Sequence, residues 1–275
     1  MNISINETNS MFTDAEMVLV GIGKEFDPDI IDVIKENEIY NKFEDEISGL
    51  GSIESTFAEH AIYYHELTNG NNNVINNALL SLNKLAKMLD GKNYFVVSTC
   101  TNSILKYSDI REDRLVLPCG DITRLECSGG CNETVIDGRE QYEKLYKRLK
   151  SCFENNEFDK SFILSNIPVC EKCDAVMEAN TFTGLSYQEN GYLDKWELYQ
   201  KWLTGTMNKN LLVLEISVGF ETPTVIRWPF EKIVMINNKS KMIRINEKFA
   251  MVTPEIADKT YTFSMSGREF IEEYR

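Results

Sequence analysis

The chain has 275 residues, 43% hydrophobic and 11% aromatic, enough for a full core, which excludes a disordered, collagen-like or small disulfide-stapled protein. Lys and Arg number 29 against 43 Asp and Glu, a formal net charge of −14, so the surface repels a phosphate backbone and no nucleic-acid partner is expected. This length admits one large domain or two unequal ones.

No basic start with an apolar run opens the chain, and no stretch approaches the roughly 18 uncharged apolar residues of a membrane span. A cytoplasmic protein without membrane contact is therefore expected. Seven cysteines, an odd number, point to thiols and metal ligation instead of a disulfide framework.

Met17 to Gly21 (MVLVG) is a short apolar run ending at glycine, the pattern of a buried parallel strand. Acidic, weakly periodic sequence follows to about Asn73, with Asn69 to Asn73 read as an exposed loop. From Ile75, residues Ala78, Leu79, Leu82, Leu85, Ala86 and Leu89 recur at helical spacing, with Gly91 at the helix terminus. Strands are expected at Tyr94–Ser98, Arg114–Pro118, Leu211–Glu215, Lys232–Ile236 and Met242–Asn246. This alternation predicts an α/β fold: a Rossmann-like parallel sheet with helices on both faces, plus a small zinc-binding module. The larger domain is assigned to residues 1–118 and 207–275, and the small zinc-binding and helical module to 119–206. Within the module, helices are expected at Arg139–Phe153 and Tyr192–Leu203, their aromatic stripes serving as core faces.

Cys127 and Cys131 enclose three residues, Cys170 and Cys173 enclose two, and 38 residues separate the pairs. Two short chelate loops of thiolates match closed, tetrahedral structural zinc; a redox-active pair and an iron–sulfur cluster are the alternatives. Gly21-Ile22-Gly23 follows the first strand, where glycines let backbone amides approach a pyrophosphate or simply form a strand-end turn. Ser98 to Ser103 (STCTNS) lies past the second strand and reads either as a ligand edge or as a capped helix start. Cys119, in Pro118-Cys119-Gly120-Asp121, is open between a reactive thiol and a buried small hydrophobe. His60 and His65 stand five apart, not the four that shares a helix face, and read as surface or packing residues.

In this order, strand-GIG, strand-STCTN, strand-LPCGD, paired cysteines, LEISVGFETP and IRIN, the chain resembles the sirtuins, NAD-dependent deacylases and ADP-ribosyltransferases. Residues 201–232 look most like the divergent bacterial group that includes macrodomain-linked sirtuins. The resemblance places Gly21 and Gly23 over the NAD phosphates and Thr101-Asn102 in the family's Thr-Gln-Asn-Ile-Asp motif. It also implies that Ser217, Val218, Gly219 and Asn246 hold the phosphates and ribose, and that the four paired cysteines hold zinc. Two departures bear on mechanism: the family's histidine, a general base, falls on Cys119, and the aspartate two residues after the motif asparagine is Ile104. Asn102 and Cys119 are the candidate catalytic residues. The implied activity is cleavage of the nicotinamide–ribose bond with ADP-ribosyl transfer to, or deacylation of, a protein substrate. The alternative is a catalytically silent module that binds NAD or ADP-ribose as a sensor or scaffold.

Overall fold

The computed structural model describes residues 5–274. Helix α1 (Ile5–Asp14) leads into β1 (Met17–Ile22), and α2 (Ile30–Ile34), α3 (Glu38–Ser48), α4 (Ser52–Asn69) and α5 (Asn73–Met88) precede β2 (Asn93–Ser98). After β3 (Leu115–Val116) come β4 (Gly120–Cys127), β5 (Ile136–Asp137), α6 (Arg139–Asn155), α7 (Lys160–Leu164), β6 (Met177–Thr181) and α8 (Leu193–Thr204). The chain closes with β7 (Leu211–Ile216), α9 (Arg227–Ile236), β8 (Lys241–Ile245), β9 (Thr260–Phe263) and α10 (Gly267–Glu273).

Six strands form a parallel sheet in the order β3-β2-β1-β7-β8-β9. Every side chain of β1 and β7 is buried, which is why β1 reads as an unbroken apolar run and β7 as one interrupted only by Glu215. Alternate residues serve opposite faces: Val18, Val20 and Ile22 join one core with α4 and α5, whereas Met17 and Leu19 join a second core with α8 and α9. Helices thus cover both faces, as the sequence predicts.

A second, antiparallel sheet of order β5-β4-β6 carries the paired cysteines. Helix α6 packs against α4 through Tyr142, whose ring lies 4.8 Å from that of Phe57. Helix α8 lies within 119–206 but packs on the main sheet, with Tyr199 and Trp202 against Phe95 and the Trp202 indole N–H donating to Asn93 Oδ1 at 2.7 Å.

Two expectations are corrected. Lys232–Ile236 is the last half of helix α9, not a strand; Ile226, Phe230 and Val234 are buried at helical spacing, while Met235 and Ile236 are exposed. The stretch from 24 to 73 is largely helical: Asp29, Asn37 and Asn72 cap the N-termini of α2, α3 and α5 by accepting backbone N–H bonds. Only residues 70–72 connect α4 to α5, with Gly70 in the left-handed conformation at φ 71°.

Candidate active site and metal centre

The strand order reverses direction between β1 and β7, the switch point at which open parallel sheets leave a crevice beyond their carboxyl ends. A cleft of about 300 Å³ lies there, lined by Lys24, Thr99, Ser217, Val218, Gly219 and Asn246 among others. Each strand end is tied to its neighbour: Gly23 N donates to Ile216 O at 2.9 Å, Ser217 N to Ile245 O at 2.8 Å, and Thr99 N to Ile22 O at 3.0 Å. Asn246 donates through Nδ2 to Val218 O at 3.1 Å and accepts from Lys248 N and Phe249 N at 2.9 Å, so it folds both lips of the cleft onto one side chain.

The predicted residues divide between the cleft and its supports. Ser217, Val218, Gly219 and Asn246 meet at the cleft. Gly23 lies beneath it, and a Cβ there would stand 1.9 Å from Ser217 O. Gly21 lies inside β1, paired on both sides in the ladder, and its bare backbone makes room for Ile226 and Phe230 of α9. It is a packing glycine and does not line the cleft. Gly219 faces open space, leaving the backbone of that loop free to approach a ligand.

The loop after β2 is held by a residue that sequence reasoning missed. Asp27 accepts from Thr101 N at 2.8 Å and Thr101 Oγ1 at 3.3 Å on one oxygen, and from Asn102 N at 3.0 Å on the other. Burial pushes its carboxyl up to about 6, against these hydrogen bonds, which favour the anion. Asn102 is 2% exposed; Nδ2 donates to Pro28 O at 2.7 Å and Oδ1 accepts from Ile104 N at 3.3 Å. Its amide therefore pins the 24–30 segment to the loop. An aspartate beside a proline, just past a strand that ends in glycines, is the signal that could have found Asp27.

Cys119 is 1% exposed, and burial pushes its thiol pKa up, with the Thr222 hydroxyl pulling the other way. A neutral thiol is a poor proton acceptor at pH 7. Gly120 comes next at φ 94°, where a Cβ would meet Asn180 O at 2.1 Å, so glycine is required after Cys119. Across the cleft mouth, Lys24 pairs with Glu221 at 2.7 Å and lies over the Phe182 ring at 5.5 Å, joining the main sheet to the second one.

A buried ionic cluster supports the far lip. Arg244 Nε pairs with Glu215 at 2.7 Å and Arg244 Nη1 with Glu231 at 2.8 Å. Arg227 and Arg244 both donate to Met251 O, at 3.0 and 2.7 Å, and Arg227 donates to Phe249 O at 3.0 Å. Burial pushes Glu215 up and Arg227 down, so each is held ionised by its partners.

The four cysteines of the pairs come together: their Sγ atoms all lie within 4.8 Å of one another. Cys127–Cys131 Sγ atoms are 3.6 Å apart, and Cys127–Cys173 and Cys131–Cys170 3.4 Å. A zinc ion with bonds of about 2.3 Å needs tetrahedral sulfur separations of about 3.8 Å, so the cluster fits closed structural zinc. Gly130, at φ 60°, turns the first loop back, and Asn132 Nδ2 donates to Cys131 Sγ at 3.1 Å. No position remains open for catalysis on such a metal.

His60 and His65 take no part in the metal centre. His60 is buried on α4, and His65 stacks on Tyr146 with ring centroids 3.6 Å apart. No helix among the described residues is long and apolar enough to cross a membrane.

No protein-family model matches the chain. The chain is 25% identical over 189 residues, 64% of its length, to a probable bifunctional ADP-ribose hydrolase/ADP-ribosyltransferase of Fusarium oxysporum f. sp. cubense, covering 30% of that protein. It is 21% identical over 179 residues, again 64% of its length, to a protein ADP-ribosyltransferase of Staphylococcus aureus, covering 54% of it. The chain thus spans about a third and about half of these relatives. Among solved structures it matches an ADP-ribose complex of a Sir2 homologue variant with TM-score 0.51 at 13% identity, covering 100% of this chain and 95% of that one. It matches a Sir2 homologue–NAD complex with TM-score 0.50 at 13% identity, covering 98% and 91%. At these identities the likeness shows the fold. The chain is built on the Sir2 fold and is similar in sequence to proteins named as ADP-ribosyltransferases.

Proposed function

We propose that the chain is an NAD-dependent transferase of sirtuin type, which binds NAD at the β1/β7 cleft, releases nicotinamide and passes ADP-ribose to a protein acceptor. The observation that carries this reading is the meeting of Ser217, Val218, Gly219 and Asn246 at the switch point, beside a 99–102 loop fixed by Asp27. Backbone amides of the Ser217–Gly219 turn suit a pyrophosphate, while at the rim Lys24, paired with Glu221, and Lys248 stand among Glu25, Glu221 and Glu247, so the amides and not a net positive charge carry the phosphate contact. Asn102 keeps the loop in place for the nicotinamide ribose, and the buried Cys119 helps keep water from it.

ADP-ribosyl transfer is favoured over deacylation because the general-base position holds a neutral, buried thiol. Breaking the nicotinamide–ribose bond asks for positioning and exclusion of water, which do not need that base. The relatives named as ADP-ribosyltransferases support the same choice. We place the protein in the cytoplasm, where the seven cysteines, unpaired as disulfides among the described residues, persist as thiols and ligands.

The same thiol favours a second reading, a silent module that binds NAD or ADP-ribose and serves as a sensor or scaffold. The deciding experiment is nicotinamide release from NAD by zinc-loaded protein, compared with Asn102→Ala and Cys119→Ala. Release that depends on Asn102 supports the transferase. Calorimetric NAD binding with no nicotinamide formed supports the silent module.

A further inference from the structure

A second chamber, of about 710 Å³, lies on the other side of the 99–102 loop: Thr99 lines the cleft, and Thr101 lines this chamber. One wall is built by helical spacing, since Ile53, Thr56, Phe57 and His60 fall on a single face of α4. The opposite wall is β6 and the turn after it, which contribute Glu178 and Leu185.

His60 is 8% exposed, and its Nδ1 is buried with no hydrogen-bond partner among the described residues. Burial pushes its pKa down to about 4, so at pH 7 the ring is neutral and offers a lone pair. The ring nevertheless lines the chamber and makes no hydrogen bond among the described residues, so its edge on the chamber side is an unused polar site that a ligand can meet. The chamber is lined by the carboxylates Glu54 and Glu178 and by no Lys or Arg among the described residues. Glu178 Oε1 accepts from Leu185 N at 3.0 Å, which leaves its other oxygen as an acceptor. A ligand that suits this lining has an apolar stem against Ile53, Phe57 and Leu185, and a cationic head with several N–H donors.

We propose that this chamber binds the guanidinium-bearing side chain of an arginine on a protein partner, with His60 and Glu178 receiving its hydrogen bonds. A guanidinium has five donors in a fixed fork and can serve an imidazole and a carboxylate at once, whereas an ammonium is a compact, strongly hydrated point charge. Binding does not depend on the transferase reading; only the arginine's role as the handle of the acceptor protein rests on it.

The chain has two histidines, so His60 and His65 can be followed individually by NMR in protein labelled with 15N-histidine. The probes are the peptide Gly-Arg-Gly and its lysine and citrulline counterparts, titrated into zinc-loaded full-length protein. The arginine peptide shifts the His60 imidazole resonances and leaves those of His65 in place. The lysine peptide binds at least about tenfold more weakly, and the uncharged citrulline peptide weaker still. His60→Gln and Glu178→Gln each weaken arginine binding about tenfold with the melting transition retained. Absence of a His60 shift, or equal affinity for arginine and citrulline, overturns the proposal, and both are read on unmutated protein should a variant fail to fold. Nicotinamide release is measured on the same samples: arginine binding without release refutes the transferase reading alone, and release without arginine binding refutes this site alone.

Discussion

The Asp27 carboxylate accepts the main-chain N–H of Asn102 at 3.0 Å, across 75 residues of sequence, and so joins the turn after β1 to the turn after β2. The Asn102 side chain returns the tie by donating to Pro28 O at 2.7 Å. Two loops that would otherwise be free at the sheet's carboxyl edge are thereby fixed against each other. Asp27→Asn is expected to turn an amide toward N–H groups that need an acceptor, and to lower nicotinamide release about a hundredfold through misplacement of the loop. Steady-state kinetics with unchanged zinc content measures this; an unaltered rate would remove Asp27 from the site.

The same residue gives a pH prediction. Its ordinary pKa of 3.8 applies to the unfolded chain and about 6 to the folded one, so folding takes up a proton between those values. The contribution is fully present below pH 3.8 and is lost as pH rises through about 6. A shift of this size corresponds to about 3 kcal/mol. Asp27→Asn should therefore gain about 2 kcal/mol relative to the unmutated protein between pH 4 and pH 7, the part of that linkage lying within this range, read by urea denaturation at both. Parallel stability profiles for the two proteins would contradict it.

Glu215 and Arg244 are fully buried and paired at 2.7 Å, and the charge has no route to water if one partner is lost. Arg244→Met is expected to destabilise the fold by about 3–5 kcal/mol, because Glu215 is then left short of its closest cation. The double variant Glu215→Leu with Arg244→Met should recover only a part, since it removes the desolvation cost of that pair but leaves the buried Arg227 without the Glu215 carboxylate 3.5 Å away. Denaturant melts of the three proteins test this, with a non-additive result as the expected one.

Zinc removal is expected to act on stability before chemistry. The two sulfur pairs come from the end of β4 and from the turn before β6, so metal closes a loop spanning α6 and α7. Chelation or Cys170→Ser should lower the melting temperature by at least about 10 °C and release about one zinc per chain, followed by native mass spectrometry. A metal-free protein of equal stability would show that the cysteine cluster is not a structural zinc centre.

Burial on both faces made much of the fold legible in the sequence. β1 is wholly apolar and β7 apolar but for Glu215 because helices cover both strands on each side, and the cysteine pairs announce themselves by spacing. Helix α4 stayed hidden because Phe57, Ala58, Ala61, Ile62, Tyr63 and Tyr64 are all buried, so it lacks a single apolar stripe. Of the Asn69–Asn73 tract that reads as a loop, Asn72 is the cap of α5, and Asp29 and Asn37 in the weakly periodic stretch before it cap α2 and α3, a role set by the helical residues immediately C-terminal to each. Asp27 was missed for a different reason: its partners Thr101 and Asn102 are brought near only by the β1–β2 pairing.

Two glycines in the expected nucleotide site make opposite predictions. A Cβ on Gly23 would stand 1.9 Å from Ser217 O, a backbone atom fixed by the β1–β7 pairing, whereas a Cβ on Gly219 meets nothing within 4 Å. Gly23→Ala should therefore cost about 1–3 kcal/mol of stability by forcing two strand ends apart, and lose NAD binding along with it. Gly219→Ala should leave the melting curve unchanged, yet weaken NAD binding about tenfold, because the added methyl occupies space that a pyrophosphate needs against the backbone. Calorimetric titration of NAD into both variants separates the two effects. Unimpaired NAD binding by Gly219→Ala would mean that the phosphates lie elsewhere along the β1–β7 crevice.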